Sequence, residues 1–177
     1  MLKVVGTHDP TELPCVVEVD FYVPITFQTY PIVIGEGARY IHLGVRPTHL
    51  LELIVPPASM LLRGFTVTSM DATHTEPLSG SGPILSGLPI LELTPGEKFQ
   101  GRETSQYVKL PIGFSVLLGD NYAEARFGNA KAFDRILTHG SVQFLIHNNV
   151  LVGLRATQLS QIDIETLREY FARKRLY

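Results

Sequence analysis

The chain has 177 residues and a formal net charge of −2, with 15 basic and 17 acidic side chains interspersed along it. That balance leaves no electrostatic footprint for nucleic acid or an anionic membrane, and a single cysteine excludes an internal disulfide framework. Charged residues are 18% of the chain and apolar ones 45%; the charged share falls below the roughly 25% usual for soluble domains, so part of the surface is expected to be covered, by strands buried on both faces or by an oligomer or partner interface.

The length suits one β-rich domain over 1–177, burying about 70% of the surface its unfolded chain exposes. Met1-Leu2-Lys3 leads into only two valines before Gly6, too short for a signal-peptide apolar region. No run approaches the roughly 18 apolar residues of a membrane span. A cytoplasmic location is expected, or a virion if the chain is a viral structural component.

Strand signals dominate the first half. Residues 15–23 (CVVEVDFYV) put Val17, Val19 and Phe21 on one side and Glu18 and Asp20 on the other, the period-2 pattern of a half-buried strand, which Pro24 interrupts. Cys15, at its start, reads as a buried, inert thiol. Further strands are predicted over 25–34, 38–45 and 50–55, divided by Gly35-Glu36-Gly37 and Arg46-Pro47-Thr48 and stopped by Pro56-Pro57. Another is predicted over 60–68, with Gly64 as a bulge. Residues 71–87 (DATHTEPLSGSGPILSG) are rich in Gly, Ser, Thr and Pro and predict a long surface loop. Its length is that of lids and binding loops.

Strands resume over 89–94, 106–110 and 113–118, and Gly119-Asp120-Asn121 is a turn signal before YAEARF. Asn129 as N-cap, with Ala132, Phe133, Ile136 and Leu137 at helical spacing, predicts a short helix near 129–138. Within 141–157, His147-Asn148-Asn149 joins two apolar strands into the clearest hairpin of the chain. A C-terminal helix is predicted over 163–175, capped by Asp163 or Ser160, with Ile164, Leu167 and Phe171 on one face and basic residues at its end. The predicted fold is thus α+β and mainly β: two packed antiparallel sheets or a partly open barrel, with the short helix and the C-terminal helix covering one face.

Among the 6 histidines no His-x-His or helical His-x-x-x-His spacing occurs. The only metal ligands that proximity suggests are His42, His49 and Glu52, beside Arg46. The Gly80-Ser81-Gly82 stretch lacks the strand and helix that flank a nucleophile elbow, and no Gly-Lys-Ser/Thr phosphate loop is present. No catalytic residue and no cofactor is assigned.

Residues 92–118, ELTPGEKFQGRETSQYVKLPIGFSVLL, order a Pro-Gly-Glu turn, a strand, a Leu-Pro step and a strand in a way loosely similar to part of the trimeric dUTPase and dCTP-deaminase barrels. That family continues with an Arg-Ser-Ser type phosphate-binding segment and a Gly-x-x-Asp-x-x-Tyr/Phe sugar segment. Here FSVLLGDNYAEARFGNA follows and has neither. Pro95-Gly96 fits the cupin pattern, yet no His-x-His with a following Glu accompanies it. The chain is assigned to neither family.

Three functions remain. The first is a non-catalytic protein-binding or assembly protein: a homo-oligomeric structural subunit, a phage or viral component, or an immunity-type inhibitor. Its partner is another protein or a second copy, and its partner-binding candidates are Asp71, His74, Glu76, Ser81, Arg173 and Arg175. The second is a small-molecule-binding or metal-dependent barrel enzyme using His42 and His49. The third is nucleic-acid binding through the basic turn Arg173-Lys174-Arg175, which the overall charge disfavours.

Overall fold

The computed structural model describes residues 1–9, 12–29, 37–45, 49–69, 76–102 and 105–174. Residues 30–34 of one predicted strand, most of the Gly35-Glu36-Gly37 turn, and Arg46-Pro47-Thr48 lie outside them.

In chain order the first strands are β1 (Leu2–His8), β2 (Val16–Glu18), β3 (Ile25–Gln28), β4 (Ala38–Leu43), β5 (Leu50–Val55) and β6 (Gly64–Ser69). Next come β7 (Ser79–Gly80), β8 (Ile84–Ser86), β9 (Leu88–Leu93), β10 (Gln100–Arg102), β11 (Ser105–Leu110) and β12 (Phe114–Leu118). The remainder are β13 (Tyr122–Phe127), β14 (Ala132–Phe133), β15 (Arg135–His139), β16 (Val142–His147), β17 (Val150–Thr157) and the helix α1 (Gln161–Lys174). The fold is mainly β with one C-terminal helix among the described residues.

One sheet has 8 strands, in the order β12-β13-β17-β16-β15-β8, with β1 joining at β17 and carrying β9. A second has 7, in the order β10-β11-β4-β5-β6-β3-β2, and β14 and β7 form a small third sheet. The expectation of antiparallel sheets is corrected in part, because three strand pairs run parallel. The pairs β11–β4, β15–β8 and β14–β7 are parallel, each joining segments far apart in the chain.

Alternation explains the burial. Along β5, Leu51, Leu53 and Val55 point inward, and along β4 Ile41 and Leu43 do the same. The 8-stranded sheet contributes Val116, Ala125, Leu137, Phe144 and Leu154 to the same apolar cluster. At its centre Phe27, on β3, meets Phe65 of its own sheet with ring centroids 5.4 Å apart and Phe144 of the other sheet at 6.0 Å. Helix α1 adds Ile164, Leu167, Tyr170 and Phe171 and touches β12. Its first turn is fixed reciprocally: the Asp163 N–H donates to Ser160 Oγ at 3.2 Å, while the Ser160 N–H donates to Asp163 Oδ2 at 2.9 Å.

A second, smaller cluster lies on the outer face of the 8-stranded sheet, formed by Leu78, Phe133, Ile136, Leu145 and Val152. It forces two corrections. The short helix predicted near 129–138 is replaced by β14 and β15, because Ile136 and Leu137 face opposite clusters and pair with β16 and β8, a division only a strand allows. Helical spacing of four apolar residues is overridden by tertiary pairing. The expected surface loop over 71–87 is ordered in its described half, where β7 and β8 lie along β14 and β15. A Cβ at Gly80 or Gly82 would collide with the carbonyl of Phe133 or Asp134, so the small residues that read as flexible are required for close approach.

Other expectations met smaller adjustments. The strand expected over 15–23 ends at Glu18, and Asp20 then folds a turn by accepting the N–H groups of Tyr22 and Val23 at 2.7 and 3.3 Å. Gly64 is not a bulge. It stays in register with Ile54 and Gln28, and a Cβ there would lie 2.9 Å from the Phe27 carbonyl oxygen. The hairpin at 148–149 matches its sequence signal, with Asn148 and Asn149 at φ 50 and 58.

Candidate functional site

Register assembles the first candidate. On the outer face of the 7-stranded sheet, Lys109 on β11 stands beside His42 on β4, which stands opposite Glu52 on β5. His42 Nε2 lies 2.9 Å from Glu52 Oε1. The imidazole stacks on Tyr107 with centroids 5.4 Å apart and planes 9° apart, and Lys109 Nζ sits 5.8 Å from the same ring centroid. His42, Tyr107 and Lys109 border a cleft of about 600 Å³ whose other walls are Leu43, Gly44, Val45, His49 and Leu50. His49 is at its edge, where its ring meets Phe114 edge-on at 6.2 Å.

The structure therefore pairs His42 with Glu52 and places His49 in the wall of the same cleft as His42. Among the described residues no three His, Cys, Asp or Glu side chains converge as metal ligands. A partly buried imidazole–carboxylate pair beside an aromatic ring can hold a small polar ligand, and its own contribution to stability is small.

The partner-binding candidates divide. Asp71, His74 and Arg175 lie outside the described residues. Glu76 is exposed at the start of the segment leading to β7, and Ser81 is exposed between β7 and β8. Arg173 lays its guanidinium 4.5 Å from the centroid of Phe21, which is itself edge-on to Tyr22 and Tyr170. That contact ties α1 to the turn before β3. Cys15 is partly buried, and its thiol donates to the His139 carbonyl at 3.2 Å.

Two features escaped the sequence reading. The first is a buried ion pair behind the segment 76–80. Glu124 on β13 has no solvent exposure and faces Arg155 on β17. Its Oε2 accepts Arg155 Nη2 and Nε at 2.6 and 3.0 Å, and its Oε1 accepts the Leu78 N–H at 2.8 Å. Arg155 also donates to Gln143 at 3.2 Å and lies over the rings of Tyr122 and Phe133. The carboxylate so fastens the strap 76–86 to the sheet. The alternation in YAEARF gave a strand, but nothing local marked Glu124 as facing a covered surface.

The second is the edge made by β8. All residues from Ser79 to Ser86 are exposed, including the apolar Ile84 at 65% and Leu85 at 47%. Among the described residues β8 is the last strand on its side of the 8-stranded sheet, with β15 as its neighbour. An apolar strand with a free backbone edge is a template for pairing with another chain. No protein-family model matches this chain, and no match is found among curated proteins. Among the described residues no helix is long and apolar enough to cross a membrane.

Proposed function

We propose that this chain is a non-catalytic protein-binding or assembly protein, a two-sheet or partly open barrel scaffold whose partner docks at the β8 edge. The observation that carries this reading is the exposure of Ile84 and Leu85 on a strand that, among the described residues, is paired on one side. Monomeric proteins guard such edges with charged side chains, bulges or covering segments. Here residues 77–91 carry no charged side chain, and the β8–β15 register runs without a shift. The two-sheet reading is supported by the cluster around Phe27 that draws on both sheets. The test is size-exclusion chromatography with light scattering, together with capture from a native lysate on the immobilised chain, for the wild type and Ile84→Lys. A complex that Ile84→Lys abolishes is expected. A wild type that stays monomeric and captures nothing would overturn the reading.

A second reading, a small-molecule binder or metal-dependent enzyme at the His42–Glu52 cleft, is favoured by the stacked His42–Tyr107 pair and the cleft beside it. Ligand-induced melting shifts that vanish in the His42→Ala, His49→Ala double variant would support it. Shifts that the double variant leaves unchanged would eliminate it. Nucleic-acid binding through the C-terminal basic turn is the third reading. Absence of retention on heparin at low salt would dispose of it.

A further inference from the structure

We infer that the partner at the β8 edge is a second copy of this chain, its β8 pairing antiparallel with the first across a two-fold axis at Leu85, so that the two 8-stranded sheets become continuous. This rests on the assembly reading above and names its partner.

The direction of the backbone sets the register. The Ile136 N–H donates to the Pro83 carbonyl at 3.1 Å and the Gly87 N–H to the Thr138 carbonyl at 2.9 Å, so residues 83, 85 and 87 turn their backbone groups toward β15. Alternation then points the N–H and C=O of Ile84 and Ser86 away from the sheet. Pro83 is on the β15 side, so its missing N–H does not blunt the free edge. The outward groups are symmetric about Leu85. A two-fold there sets Ile84 against Ser86 of the second copy, and each such pair exchanges both of its N–H···O=C bonds. Leu85 falls opposite its own counterpart in the closer, non-hydrogen-bonded pairing.

Side chains favour the same partner. Across the inner face of the sheet one register row runs Val116, Ala125, Leu154, Phe144, Leu137, Leu85. All are buried except Leu85, which is 47% exposed at the end of the row. A second Leu85 continues that row where it stops. Because residues 77–91 are uncharged, the edge complements itself with no like-charge cost. Three paired residues and the exposed stretch Ser79–Gly82 beside them make a smaller contact than the roughly 800 Å² per partner of a stable interface, so association on the order of micromolar or weaker is expected.

Cysteine cross-linking tests the register. In a Cys15→Ser background, Leu85→Cys places two thiols at a non-hydrogen-bonded pair with Cα atoms about 4.5 Å apart, within disulfide reach. Mild oxidation should give a reducible dimer, about tenfold faster than for Ile84→Cys in the same background, and adding Ser86→Pro, which removes only an outward N–H, should abolish it. Equal slow rates for the two cysteine variants would overturn the pairing. A dimer seen by light scattering in the absence of the Leu85→Cys cross-link would overturn this register and leave the assembly reading standing. A chain that is monomeric at every concentration yet captures another protein through Ile84 would overturn the second copy alone.

Discussion

Arg155 closes on a carboxylate that water does not reach: its Nη2 lies 2.6 Å from Oε2 of Glu124, whose side chain is 0% exposed while that of Arg155 is 18% exposed. The other carboxylate oxygen holds the Leu78 N–H. One ion pair thus joins β13 to β17 and both to the strap that carries β8.

Removing one partner leaves the other buried and uncompensated. Arg155→Met is expected to destabilise the fold by about 3 kcal/mol in urea titration, and the double variant Glu124→Leu, Arg155→Leu by less than that. A double variant weaker than Arg155→Met would contradict the buried-charge explanation.

The strap depends on glycine at its closest approach. In Gly82→Ala the new methyl meets the Asp134 carbonyl. A loss of about 1–3 kcal/mol is expected, and hydrogen exchange should quicken at the Ile136 and Gly87 amides, which bond across the β8–β15 pair. Unchanged protection at both amides would contradict the docking of the strap.

The β16–β17 turn holds Asn149 at φ 58. Asn149→Val is expected to lower stability by roughly 1–2 kcal/mol, and Asn149→Gly, which keeps the backbone but loses the 3.0 Å hydrogen bond from Arg135, to change it by less. Thermal melting of the two variants side by side checks the order.

His42 stacks on Tyr107 and pairs with Glu52 on a face away from β8. His42→Ala is therefore expected to cost less than about 1 kcal/mol and to leave self-association unaltered. A large change in oligomeric state would move the interface to the 7-stranded sheet.

Much of the β architecture was legible because it is written locally. Period-2 alternation located β4 and β5, the asparagine pair located the β16–β17 turn, and Ser160 with Asp163 started α1. What local pattern could not give was pairing between distant segments. Ala132, Phe133, Ile136 and Leu137 fit a helix until β7 claims the first two as strand and β16 and β8 the last two. The Gly80-Ser81-Gly82 stretch has the composition of a loose loop, yet the nearby carbonyls of Phe133 and Asp134 make its glycines a packing requirement. The candidate sites follow the same division. His42 and Glu52 could be suspected from their types, but that they face one another depends on the β4–β5 register. Glu124, Arg155 and the exposed side of β8 owe their meaning to sheet order, which no local pattern specifies.

Sedimentation velocity of the wild type and Ser86→Pro over a concentration series extending well above the micromolar range tests the central claim most directly. The wild type is predicted to shift from monomer toward dimer as concentration rises, while Ser86→Pro, with the same melting behaviour, stays monomeric. A wild type that remains monomeric throughout, or a dimer that Ser86→Pro leaves intact, would contradict assembly through β8.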